Sequence, residues 1–84
     1  MKNKILIKLI VPTLNSEFEV YIPANERINK VKELLVKSVS DISDSEFKIN
    51  KVYSLLDPET GSIYDSRLAV KETNIKNSKK IVLF

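Results

Sequence analysis

The 84-residue chain has no cysteine, no histidine and no tryptophan, and only one glycine. Without Cys or His there is no disulfide framework, zinc finger, thiol nucleophile or imidazole-based triad to look for. The missing Cys also leaves the redox compartment open. Long apolar runs are missing as well, and no stretch approaches the ~20 residues a transmembrane helix needs. Lys2 and Lys4 followed by Ile5 to Val11 look briefly like a signal peptide. However, Lys8 interrupts the run, and Pro12-Thr13 turns the chain where a small-residue cleavage site would stand. The expectation is a cytoplasmic protein with no direct membrane insertion.

What is there is 43% apolar and 30% charged residues, the composition of a single globular domain over residues 1–84. Fourteen basic against 11 acidic side chains give a net charge of +3. The twelve Lys and two Arg are spread along the chain and interleaved with Glu and Asp. Lys76, Lys79 and Lys80 come nearest to a cluster, without neighbouring Arg or a stacking aromatic. Phosphate recognition usually concentrates its charge beside such a platform, so a small basic nucleic-acid-binding module is the alternative reading, not the leading one.

The periodicity defines the elements. Lys4 to Val11 alternates, with Ile5, Ile7, Leu9 and Val11 on one face and Lys4, Leu6, Lys8 and Ile10 on the other. Pro12 to Ser16 is turn chemistry, and Glu17 to Ile22 alternates again, completing a β-hairpin. Pro23 closes that strand. From Ile28 the period becomes helical through Val31, Leu34, Leu35, Val39 and Ile42, with Asn25 as the candidate N-cap. Ser43-Asp44-Ser45-Glu46 has capping-box spacing and predicts a short helical turn leading to Phe47 and Ile49. A third strand is predicted at Val52 to Leu56. Asp57 to Gly61 then forms a turn before a return strand at Ser62 to Tyr64. One helical turn over Ala69 to Thr73 precedes a last strand at Lys79 to Phe84. Strands and one helix in this order make an α+β fold, a mixed sheet with the helix on one face.

This order resembles the ubiquitin β-grasp. Ile22-Pro23 followed by Ile28 and Val31-Lys32 is similar to ubiquitin's strand–Pro–helix junction. Val70, Ile75, Ile81 and Leu83 fall at the spacing of its late core residues. The bacterial YukD/EsaB family of ubiquitin-like proteins is a nearer resemblance. It is carried by Ile10-Val11-Pro12, Phe18 to Pro23, Thr60 to Asp65 and Val70 to Asn77. Asn77-Ser78 departs from the Asn-Gly expected there. The resemblance implies a non-enzymatic accessory role near type VII (WXG100) secretion, with secretion-machinery proteins as partners. Ubiquitin and the sulfur carriers use a C-terminal Gly-Gly, which this sequence lacks. Conjugation to a covalent substrate is therefore not expected.

No constellation predicts catalysis, a cofactor or a metal. Asp41, Asp44 and Glu46 lack the alternating carboxylates and central Gly of a calcium loop, and Thr60-Gly61-Ser62 lacks the rest of a phosphate loop. Asp57 and Asp65 flank a turn, where Asp commonly bonds backbone. The candidate site is the outer face of the sheet. If the first and last strands are neighbours, as in the β-grasp, Leu6, Ile10, Val82 and Phe84 lie together outside. Leu56, matched by the resemblance to ubiquitin's partner-binding isoleucine, then sits beside them with Val52. A continuous apolar patch rimmed by Lys4, Lys8, Lys80 and Glu19 is expected to bind a protein partner or a second copy.

Overall fold

A computed structural model describes residues 3–43, 47 and 51–84. Strand β1 (Lys4–Val11) passes through a 3₁₀ turn at Pro12–Leu14 into β2 (Ser16–Pro23). Asn15 makes the reversal in the left-handed region at φ 50°, which Asn tolerates better than most residues. Helix α1 spans Ile28–Ser43, followed by β3 (Leu55–Asp57), β4 (Ser62–Ile63), a 3₁₀ turn at Val70–Glu72 and β5 (Lys79–Leu83). The sheet order is β2-β1-β5-β3-β4, with β1 and β5 parallel at its centre and the other pairs antiparallel.

Alternation sorts the two faces as the sequence predicts. Ile7, Leu9 and Val11 of β1 and Ile81 and Leu83 of β5 are fully excluded from solvent. They meet Ile28, Val31, Leu35 and Val39 of α1 in one core, with Ile22, Leu55, Val70 and Ile75 closing its edges. Each such side chain contributes roughly 1.5–3 kcal/mol of transfer free energy. Phe47 stacks on Tyr53 with ring centroids 4.5 Å apart.

Three expectations need correction. Leu34 and Ile42 leave the helical stripe and are 44% and 65% exposed. For Leu34 the reason is angular: it lies about 100° around the helix from Leu35, which faces the core. The third strand is shorter and later than Val52 to Leu56. Ser54 and Phe84 exchange backbone hydrogen bonds of 2.7 and 3.1 Å, and Val52 and Tyr53 lie beyond that pair.

Asn25 does not cap α1, which begins three residues later at Ile28. Instead the amides of Ile28 and Asn29 donate to the carbonyls of Leu68 and Ser66 at 2.8 and 3.0 Å. Val70 and Lys71 donate back to Glu26 and Ala24, each at 2.9 Å. Two bonds of this four-bond clamp satisfy helix-end donors that a capping side chain would otherwise take, and the other two tie the loop back to the residues before the helix. Of the predicted capping box, Ser43 is the last residue of α1, and Asp44, Ser45, Glu46 and Ile49 lie outside the described residues.

Candidate functional site

Strand register decides which outward side chains are neighbours. Ile10 of β1 pairs with Val82 of β5, Val82 with Leu56 of β3, and Leu56 with Ile63 of β4. Four apolar side chains therefore form one row across four strands, about 14 Å long at the ~4.8 Å strand spacing. Ile10, Val82 and Leu56 are half-buried, whereas Ile63 at the edge is 60% exposed. Phe84, 47% exposed, extends the same side of β5 beyond Val82.

The next row is charged: Glu19 pairs with Lys8, and Lys8 with Lys80. Leu6 lies past it, paired with Tyr21 and held by Asn77, whose Oδ1 accepts the Leu6 amide at 2.9 Å. The patch expected to be continuous is thus two patches divided by Glu19, Lys8 and Lys80, which cross it instead of rimming it. Lys4, exposed and paired with Pro23, sits at the Leu6 end of the face. Val52 belongs to neither patch. It is 88% exposed outside any strand and lines a cleft against α1. Periodicity missed Ile63 and Tyr21 as members of this face because cross-strand register, not alternation, brings them in.

The inward side of the sheet at the β3–β4 hairpin holds a polar cluster. Asp57, only 2% exposed, accepts 2.8 Å from the Asn74 amide nitrogen and 2.9 Å from the Lys79 ammonium. Its Oδ1 also accepts the Glu59 backbone N–H at 2.9 Å, the turn bond that Asp supplies at such corners. Asn74 Oδ1 in turn accepts the Tyr64 hydroxyl at 2.8 Å, and Lys79 reaches Glu59 at 3.2 Å.

Each member's ionisation follows from its bonds. The Asn74 and Lys79 contacts hold the Asp57 carboxyl well below the usual carboxylate range. Burial, with the Asp57 charge, pushes the Tyr64 phenol up to about 12. The same Asp57 contact raises Lys79. At the neighbouring turn, bonds from Arg67 bring Asp65 down to about 2. A charged Asp57 bonded to a charged Lys79 is an anchor and has no proton to exchange near neutrality.

The cluster also divides the basic group Lys76, Lys79 and Lys80. Lys79 is enclosed, its side chain 10% exposed and spent on two carboxylates, while Lys80 stands on the outer face. No phosphate-binding trio forms. Among the described residues there is also no group of three or more acidic, His or Cys side chains placed to hold a metal, and no helix long and apolar enough to cross a membrane.

No family model and no curated protein sequence matches the chain. Solved structures do. A chain of the MycP5-free ESX-5 inner membrane complex superposes at TM-score 0.79 with 11% identity, over 98% of this chain and 21% of that one. The chain thus spans about a fifth of that protein's length. The ubiquitin-like domain of EccD5 from Mycobacterium xenopi matches at TM-score 0.78 and 13% identity, over 96% of this chain and 92% of that domain. The ubiquitin-like domain of EccD1, a Mycobacterium tuberculosis type VII secretion protein, matches at 0.74 and 10% identity, over 95% and 96%. The architecture is the ubiquitin-like β-grasp.

Proposed function

We propose that this chain is a non-enzymatic ubiquitin-like adaptor that docks a protein partner on the outer face of its sheet, on the cytoplasmic side of a type VII secretion-type membrane complex. The observation that carries the reading is the row Ile10, Val82, Leu56 and Ile63, apolar side chains aligned by register on the face of the sheet turned away from the core and α1. Apolar rows of that kind mark interaction surfaces. The secretion context is supported by the names of the similar structures, an ESX-5 inner membrane complex and two EccD domains.

The test places a photo-crosslinking amino acid at position 63 in the source cell and identifies the adducts by mass spectrometry. Adducts to secretion-complex membrane proteins are expected, and they should disappear in Val82→Glu while the circular dichroism spectrum stays unchanged. Adducts that persist in a folded Val82→Glu protein would sink the row as the docking surface. A product containing only a second copy of the chain would replace the adaptor with a self-associating protein.

A further inference from the structure

A second groove lies on the opposite layer of the molecule. It runs between α1 and the segment Lys51 to Tyr53, with a volume of about 480 Å³. That is ample for a few side chains of an incoming peptide. One wall is a continuous helical stripe, Asn29, Lys32, Val36 and Ser40 with Glu33 and Lys37 beside it, at the three-and-four spacing that aligns residues along a helix. Val36 is half-buried at its apolar floor, and Val52 stands at the other lip, 88% exposed.

The charges are unbalanced. Lys32, Lys37 and Lys51 all line the groove, and among the described residues none of the three lies within ion-pair distance of a carboxylate. Glu33 is engaged at 3.8 Å with Lys30, which is not a groove residue. Asp41 is the other acid among the described groove residues. The Lys51 ammonium lies 6.0 Å from the Tyr53 ring centroid, at the outer limit of a cation–π contact. Three cations around an apolar strip attract an anionic partner and orient it as it arrives.

We propose that this groove docks a short acidic segment of a partner protein, with an apolar side chain between Val36 and Val52 and carboxylates toward Lys32, Lys37 and Lys51. The segment is acidic because Lys32, Lys37 and Lys51 find no carboxylate partner among the described residues, and apolar at its centre because Val52 is otherwise left in water. The groove lies on the helix layer and the apolar row on the outer sheet face, so both can be occupied at once. The chain then becomes a two-sided connector. The inference is independent of the partner on the sheet.

The probe is an acetylated, amidated heptapeptide, Asp-Leu-Glu-Phe-Asp-Leu-Glu, titrated into ¹⁵N-labelled protein and followed by amide shifts. Shifts are expected at Lys32, Val36 and Val52, with affinity falling several-fold between low and moderate salt. The double variant Lys32→Glu/Lys37→Glu should bind at least tenfold more weakly. It should instead accept the peptide in which every acid is replaced by lysine. Val52→Glu, at an exposed position, gives a second variant that keeps the fold and should also lose binding. Three results would each overturn the proposal: no saturable shifts at millimolar peptide, equal binding of the lysine peptide by the unaltered protein, or shifts confined to Ile10, Leu56, Ile63 and Val82. The last would reassign the peptide to the sheet face and leave the adaptor reading standing.

Discussion

At the β2 edge of the sheet, eight residue pairs run from Lys4 opposite Pro23 to Val11 opposite Ser16. At the β4 edge there are only two, Leu56 with Ile63 and Asp57 with Ser62. An eight-pair ladder with Ile7, Leu9 and Val11 buried beneath it is held by burial and backbone bonds. A two-pair hairpin has neither in quantity, and both residues of β4 are exposed. There, Asp57, Asn74, Lys79 and Tyr64 supply the order instead. A buried ion pair is a poor source of net stability but a demanding one in geometry, because each partner is costly to leave alone. The short edge is therefore held in one position by polar bonds, and that edge carries Ile63, the most exposed member of the apolar row.

Substitutions on the two sides test this division. Leu9→Ala, at the centre of the long-ladder side, should cost about 2–5 kcal/mol in urea unfolding and lower the protection of all slowly exchanging amides together. Asp57→Asn should act locally first. The Tyr64 amide, bonded to the Leu55 carbonyl at 2.9 Å, should exchange at least tenfold faster while the Leu9 amide keeps its protection. If both amides lose protection equally, the hairpin is not a separate unit.

Acid should expose the same contrast. Asp57 and Asp65 have folded pKa values below their unfolded ones, so the unfolded state binds more protons and stability rises with pH. Their contribution is present above the unfolded value of about 3.9 and is lost as pH falls through the lower folded values. The unaltered protein should therefore lose stability between about pH 5 and 2, with a visibly shallower slope in Asp57→Asn, where only Asp65 of this pair remains. An unchanged slope would remove Asp57 from the account.

The smallest effect is expected at Ser78, which sits in the left-handed region at φ 71° and donates its amide to Leu6 at 2.7 Å. Glycine takes that conformation without the ~1–2 kcal/mol steric cost but loses more backbone entropy on folding. Ser78→Gly should thus stabilise by roughly 0.5–1 kcal/mol, raising the melting temperature a few degrees. A fall would mean that the Ser78 side chain contributes more than its backbone costs.

Much of the fold was legible because its signals are local. Alternation marked β1 and β2, the three-and-four spacing marked α1, and Asp57 to Gly61 marked a turn in which Gly61 does adopt φ 75°. Alternation also assigned Leu6, Ile10 and Val82 to the outward side. It could not show that Lys8 and Lys80 fall opposite each other and cut the patch, because register between β1 and β5 depends on residues more than 70 positions apart in sequence. The Asp57 cluster leaves a trace in the alternation. Counting inward from Leu83 through Ile81 puts a lysine at an inward position, and counting on from Leu55 does the same for an aspartate. Two opposite charges at core positions imply a pair. Asn25 failed as a cap because a distant loop competes for the same amides, which no local pattern records.

That loop-to-helix clamp bears on how the chain folds. Forty positions separate Ile28 from Leu68. A nascent α1 would have to leave its leading amides to water until the chain as far as Leu68 has folded back on it. The helix is then expected to begin from its middle, around Val31 and Leu35, and to acquire its first turn late. In refolding followed by pulsed exchange, the amides of Ile28 and Asn29 should gain protection in step with β5, after those farther along α1. The start of the helix would thus be among the last parts of the fold to set, and it would report whether the chain has closed.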